Sequence, residues 1–243
     1  MSDSIVRINK FLSQVGFCSR READQFIKEG RVTINGIVAE MGAKIKFEDK
    51  ICVDGEKISK KNIKKLYIVF NKPKGIVCTT DAGVEKDNII DYINHPQRIF
   101  PIGRLDKTSE GLIFLTNDGD IVNKILRAKN KHEKEYHVTV DKPINSAFIK
   151  KMSNGIPILN TVTRKCEVKF FKDYEFKIIL TQGLNRQIRR MCEFLGYRVK
   201  KLKRIRIMNI KTDIPIGKWR YFSSKEISEL KNLLNTSSSN YGN

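Results

Sequence analysis

Apolar residues in the first sixty positions recur at helical spacing and then switch to a period of two. Ile8, Phe11, Leu12 and Val15 form one apolar face of a helix that Gly16 is placed to stop. Ser19-Arg-Arg-Glu22 reads as a capping box, in which each side chain accepts from the other residue's backbone N–H. A second helix is predicted from about Arg20 to Glu29, with Ala23, Phe26 and Ile27 inward and Gly30 at its end. Val32, Ile34 and Val38 flank Asn35-Gly36, and Val53 and Ile58 flank Asp54-Gly55. Both dipeptides favour the primed turns that match strand twist. Residues 5–58 are therefore predicted to be two helices followed by short strands.

Residues 59–65, which contain Lys60-Lys-Asn-Ile-Lys-Lys65, read as a charged linker. From Leu66 the pattern changes. Tyr67–Phe70 and Ile113–Thr116 are continuous apolar runs of strand length, and Ile121–Leu126 is a short helix. Tyr136–Val140 alternates like a strand, Ser146–Ser153 reads as a helix, and Cys166–Phe170 and Phe176–Leu180 are further strands. Asn185–Leu195 is a helix with Gly196 as its stop. Arg198–Ile207 holds six basic residues, and its Leu202, Ile205 and Ile207 suggest a strand with one buried side. It reads equally as a charge-protected edge strand or as an edge facing a polyanionic partner. The fold class is α+β: a small α/β unit, then residues 66–230 as a mainly antiparallel mixed sheet with a few helices. The polar tail 235–243 is predicted to be disordered.

Composition bounds the function. Forty-seven Lys and Arg against 27 Asp and Glu give a net charge of +20, which attracts polyanions. The alternative is a lysine-rich surface that serves solubility alone. No apolar run approaches the ~18 residues of a membrane span, and the first residues lack a signal-peptide core, so a cytoplasmic protein is expected. Cys18, Cys52, Cys78, Cys166 and Cys192 form no C-x-x-C pair and have no histidine at ligand spacing, so they read as buried free thiols and no metal site is expected. There is no G-x-G-x-x-G and no P-loop, which removes nucleotide cofactors and a linked methyltransferase.

Arg7, Lys10, Arg20, Arg21, Lys28 and Arg31 surround the helical hairpin, with Arg20 and Arg21 on the first turn of the second helix, where helix-start N–H groups favour phosphate. A solvated charged face is the bland alternative. Arg7-Ile-Asn-Lys-Phe-Leu12, Cys18-Ser-Arg-Arg-Glu-Ala23 and Gly30-Arg-Val-Thr-Ile-Asn-Gly36 closely resemble the S4-type RNA-binding module, over nearly all of residues 5–58. That resemblance implies recognition of structured RNA by shape and phosphate.

Phe100-Pro-Ile-Gly-Arg-Leu-Asp-Lys-Thr-Ser-Glu-Gly-Leu-Ile-Phe-Leu115 places an aspartate in a loop before a buried strand. Alone, Asp106 would read as a loop cap. The segment resembles the signature loop of RNA pseudouridine synthases, in the S4-bearing branch that modifies ribosomal RNA. Asn71-Lys-Pro-Lys-Gly75, Glu133-Lys-Glu-Tyr-His-Val138 and Gln182-Gly-Leu-Asn-Arg-Gln-Ile-Arg-Arg-Met191 fit the same branch, in order. Val138–Pro143, Asn185–Cys192 and Ile214–Trp219 are similar to one member in particular.

The resemblance implies isomerisation of a uridine to pseudouridine in large-subunit ribosomal RNA, and in a transfer RNA if substrates are shared. No cofactor is implied, and a monomer is expected. It assigns Asp106 as the central carboxylate, leaving open attack on the ribose, attack on the base, or removal of the C2′ proton. Arg189 would be its ion-pair partner, Tyr136 would stack on the base, Arg104 would fill the space of the flipped uracil, and Leu202 would line the pocket. Lys72, Lys74, Arg186 and Arg190 join Arg7, Lys10, Arg20, Arg21 and Arg31 as expected RNA contacts. A non-catalytic S4-type RNA-binding protein is the rival, and it would be favoured by loss of Asp106, Tyr136 or Arg189; all three are present.

Overall fold

A computed structural model describes residues 5–46, 48–59, 64–81, 83 and 85–239. Most of the expected linker, residues 60–63, lies outside that set, as do the last four residues. The chain divides into two compact units, Met1–Lys65 and Leu66–Asn243.

In the first unit, helices Ile8–Gln14 and Arg20–Lys28 pack on a four-stranded sheet built from Val32–Ile34, Ile37–Val38, Ile51–Val53 and Glu56–Lys57. The capping box is formed: Glu22 N donates to Ser19 Oγ at 3.1 Å and Ser19 N donates to the Glu22 carboxylate at 2.6 Å. Asn35 and Gly36 both have positive φ, 53° and 88°, as a type I′ turn requires. Leu12, Ala23 and Val32 are fully buried between helices and sheet. A short strand, Val6–Arg7, precedes the first helix and pairs with Lys44–Ile45.

The second unit is organised by a nine-stranded sheet. Its strands are β1 (Tyr67–Lys72), β2 (Phe100–Ile102), β3 (Glu110–Thr116), β4 (Lys134–Val140), β5 (Glu167–Lys172), β6 (Glu175–Leu180), β7 (Val199–Ile207), β8 (Ile210–Lys211) and β9 (Trp219–Tyr221). They are ordered β5-β6-β4-β7-β3-β1-β9, with β2 on β3 and β8 on β7. All these pairings are antiparallel except β7 with β3. The helices are α1 (Ile89–Ile93), α2 (Gly119–Leu126), α3 (Ser146–Ser153), α4 (Gln187–Phe194) and α5 (Ser224–Ser239).

The apolar pattern follows from which faces are covered. Strands β1 and β3 are buried on both sides: Ile68, Phe70, Ile113 and Leu115 join one core, while Tyr67, Val69, Leu112 and Phe114 join a second. Continuous apolar runs result. On β4 only Tyr136, Val138 and Val140 are buried, and Glu135, His137 and Thr139 are turned away from that core, so the strand alternates.

Three expectations change. The basic stretch 198–207 is not an edge: β7 lies in the middle of the sheet, between β4 and β3. Its two apolar parities are reconciled by an irregularity that leaves Ile205 unopposed, because Arg204 pairs with Tyr136 and Arg206 with Glu135. Helix α4 begins at Gln187 rather than Asn185, because Arg186 sits in the left-handed region at φ 48°. The tail is helical through Ser239, since α5 starts on a Ser223–Glu226 capping pair and buries Leu230 and Leu234. The folded unit therefore runs past residue 230. Two of the five thiols, Cys52 and Cys166, are only partly buried. Among the described residues no helix is long and apolar enough to cross a membrane.

Candidate active site

The loop before β3 is fastened from several sides. Leu105 N donates to Cys78 Sγ at 3.4 Å, Ser109 N donates to Asp106 O at 3.0 Å, and Gly75 N donates to Lys107 O at 2.8 Å. Leu105 is buried beneath the loop, which turns Arg104 and Asp106 outward. Just past the loop, Gly111 has φ 108°, and a Cβ there would overlap the Arg204 backbone. Glycine is required where β3 meets β7.

Helix α4 brings two guanidinium groups to Asp106. Arg189 Nε and Arg186 Nη1 both lie 3.7 Å from Asp106 Oδ2. The left-handed turn at Arg186 lets two residues three apart converge on one carboxylate. Arg189 is buried, and it ties helix to loop and strand by donating to Val199 O at 3.2 Å, Thr108 O at 3.4 Å and Ser109 Oγ at 3.2 Å. Burial is the largest influence lowering its pKa, Arg186 adds to it, and Asp106 opposes. A guanidinium remains charged nonetheless. Arg189 Nε has no hydrogen-bond partner, so the group facing Asp106 is a charge rather than a closed bond.

Asp106 and Arg186 line a cavity of about 740 Å³ together with Arg104, Lys134, Tyr136, Leu180, Leu202, Arg204 and Ile207, and Arg189 stands behind them. Tyr136 and Leu202 form part of the main core yet reach the cavity. The Arg204 guanidinium lies 6.0 Å from the Tyr136 ring centroid and donates from Nε to Leu112 O at 2.6 Å. Arg104 is exposed at the cavity, and within the described residues no hydrogen bond or ion pair holds its guanidinium. Lys134 donates to His132 O at 3.3 Å; burial and then Arg204 pull its pKa from 10.5 to about 8.

The structure thus brings together Arg104, Asp106, Tyr136, Arg186, Arg189 and Leu202. Arg186 was expected at RNA and instead faces Asp106. Lys134, Leu180 and Arg204 were missed, although Lys134 precedes Tyr136 and Arg204 follows Leu202 by two, which places each pair on one strand face.

Other expected contacts move. Lys72 is fully buried, with Nζ donating to Pro73 O and Ile76 O, both at 2.8 Å; it braces the turn beside the loop and is closed to phosphate. Arg190 turns onto Asn185, donating to its backbone and side-chain oxygens at 3.1 and 3.2 Å. Arg31 is held by both oxygens of Asp54 at 2.8 and 2.6 Å, by Glu29 at 3.0 Å, and by the Phe26 ring at 4.3 Å, so its fork is occupied within its own module. Lys74, Arg7, Arg20 and Arg21 are exposed, and Lys10 is partly so. Among the described residues no group of three His, Cys, Asp or Glu side chains is placed to hold a metal ion.

Residues 66–194 match the family described as RNA pseudouridylate synthase, and residues 6–51 match the S4 domain. The chain belongs to the RNA pseudouridine synthases, isomerases that convert uridine to pseudouridine, and carries an S4 module ahead of the catalytic unit. It is 56% identical to the dual-specificity RNA pseudouridine synthase RluF of Escherichia coli strain K12, over 98% of this chain and 83% of that one. It is 34% identical to the ribosomal large subunit pseudouridine synthase B of Bacillus subtilis, over 93% of this chain and 96% of that one. A crystal structure of a pseudouridylate synthase shares 28% identity and superposes with a TM-score of 0.68, covering 93% of this chain and 99% of that one.

Proposed function

We propose that this chain isomerises a specific uridine in large-subunit ribosomal RNA, with a transfer RNA as second substrate, acting as a cytoplasmic monomer without a cofactor. The similarity to a dual-specificity synthase and to a large-subunit synthase supports that choice of RNA. The observation that carries the chemical reading is the Asp106 carboxylate, which lines the cavity and whose Oδ2 faces two guanidinium groups.

In this reading the target uracil leaves its stack and enters the cavity, and Arg104 occupies the space it vacates. Tyr136 stacks on the base and Leu202 supports it from below. The N1–C1′ bond breaks, the detached uracil turns, and a C5–C1′ bond forms; the proton displaced from C5 returns to the ring at N1. Nothing is oxidised or hydrolysed. Asp106 acts through its carboxylate, either as a nucleophile toward ribose or base or as the base for the C2′ proton. Arg189 and Arg186 hold their positive charge against its Oδ2. Arg7, Lys10, Arg20 and Arg21 hold phosphates on the S4 module, and Lys74 does so on the catalytic unit.

The test is direct. Purified protein is incubated with ribosomal and transfer RNA transcripts, and pseudouridine is mapped by carbodiimide-blocked primer extension. A new stop in a large-subunit transcript is expected. Its absence from every transcript would refute the enzymatic reading.

A further inference from the structure

The basic strand β7 has a second use that the cavity does not absorb. Its Leu202 and Arg204 face the cavity, whereas Lys201 and Lys203 point to the other side of the sheet. There the strand register lines up Lys169, Lys177, His137 and Lys203 across β5, β6, β4 and β7. The row beside it holds Lys172, Glu175, Thr139 and Lys201. With strands about 4.8 Å apart, each row spans roughly 14 Å.

Like charges at directly opposed positions of a sheet repel. In the first row Lys169 is balanced by Glu167, and His137 Nε2 lies 3.0 Å from Glu175 Oε2. Lys177 and Lys203 have no ion pair within the described residues, so the row keeps a net positive charge. Phe171 sits among these cations at an irregularity of β5. The residue is 44% exposed, and its ring lies 4.9 Å from the His137 ring and 5.1 and 5.6 Å from the Lys177 and Lys172 ammonium groups. An exposed aromatic ring ringed by lysines offers a stacking surface with phosphate partners on either side, the combination by which proteins hold unpaired nucleotides. A membrane or an apolar protein face would call for a broad apolar patch, and one phenylalanine does not supply it.

We propose that this outward face of β5-β6-β4-β7 binds a second, unpaired segment of the RNA substrate, with a base on Phe171 and phosphates on Lys177 and Lys203. The identity of the RNA rests on the function proposed above; the binding face does not. It would add affinity for a large folded RNA without touching the reacting uridine.

The experiment uses the full chain and a transcript of large-subunit ribosomal RNA, with binding measured over a range of KCl concentrations. The Lys177→Gln/Lys203→Gln variant should lower the slope of log affinity against log salt by about 1.4, at about 0.7 for each single-strand phosphate contact. Phe171→Ala should weaken binding about tenfold. Phe171→Trp should restore it and Phe171→Leu should not, which separates stacking from apolar bulk. Turnover at saturating RNA should stay at the wild-type value while KM rises. Unchanged affinity and slope would overturn the proposal. So would loss of binding to polyglutamate with RNA binding intact, because the face would then serve an acidic protein. If the wild-type chain binds the transcript but makes no pseudouridine, the enzymatic reading fails, and the comparison of variants still decides the face.

Discussion

Lys134 is where charge and fold conflict most openly, and replacing it should make the protein more stable. Its ammonium group lines the cavity with Arg204 as a second cation, and one long hydrogen bond, 3.3 Å to His132 O, holds it. Burial first, and Arg204 second, lower its pKa from 10.5 to about 8. The unfolded chain therefore keeps this proton over a range where the folded chain has released it. Stability rises with pH between those two values, and below them the buried ammonium opposes folding. The gap corresponds to about 3 kcal/mol. Lys134→Met removes that opposition and loses one hydrogen bond of about 1 kcal/mol. The net gain near pH 7 is about 2 kcal/mol, or roughly 4–8 °C in Tm for a unit of this size. The gain should shrink toward zero by about pH 10, where the wild-type lysine is already neutral when folded. Trp219 is the single tryptophan and lies in the catalytic unit, so its fluorescence during urea unfolding at the two pH values reads the effect. Turnover should fall as stability rises, because the same ammonium faces the cavity. A variant no more stable than wild type at neutral pH, or a difference that ignores pH, would refute the reasoning.

Asp106→Asn keeps the shape of the side chain and removes its charge; turnover should drop by about 10³-fold or more while filter binding of RNA changes little, and near-normal turnover would remove Asp106 from the chemistry. Arg189→Lys cannot span Asp106, Val199 O, Thr108 O and Ser109 Oγ together, so kcat should fall about 100-fold, whereas Arg190→Lys should be nearly silent in the same assay. Gly111→Ala should destabilise the catalytic unit by about 3 kcal/mol, from positive φ and overlap with Arg204, as read by Trp219 unfolding. Arg20→Gln/Arg21→Gln on the S4 module should flatten the salt dependence of RNA binding by about 1.4 to 1.8; an unchanged slope would show that the first turn of that helix does not contact phosphate.

Local chemistry was legible wherever it is local. The Ser19–Glu22 capping box, the Asn35-Gly36 turn and the helix Ser146–Ser153 depend on neighbours a few residues away, and each formed as its residues predict. Alternation on β4 and continuous burial on β1 likewise follow from one covered face or two. The motif around Asp106 marked the loop, because a family's chemistry constrains residues that stand together in sequence.

Other features depend on partners far along the chain. Arg186 and Arg190 look alike in sequence, yet a left-handed residue at the start of α4 sends one to Asp106, while the other folds back on Asn185. Lys72 reads as a surface cation, and only the turn closing over it shows it to be buried. The stretch 198–207 reads as an edge because basic residues usually guard edges. Its place in the middle of the sheet is set by β3 and β4, which begin 89 and 65 residues earlier, at Glu110 and Lys134 against Val199. The sequence by itself determined most of the elements, the charge and the loop that carries Asp106, since these rest on short-range geometry and composition. That Arg186 joins Arg189 at Asp106, and which cations are sealed in the core or left on an open sheet face, was decided by tertiary structure, because ion pairing and burial depend on distances that only packing sets.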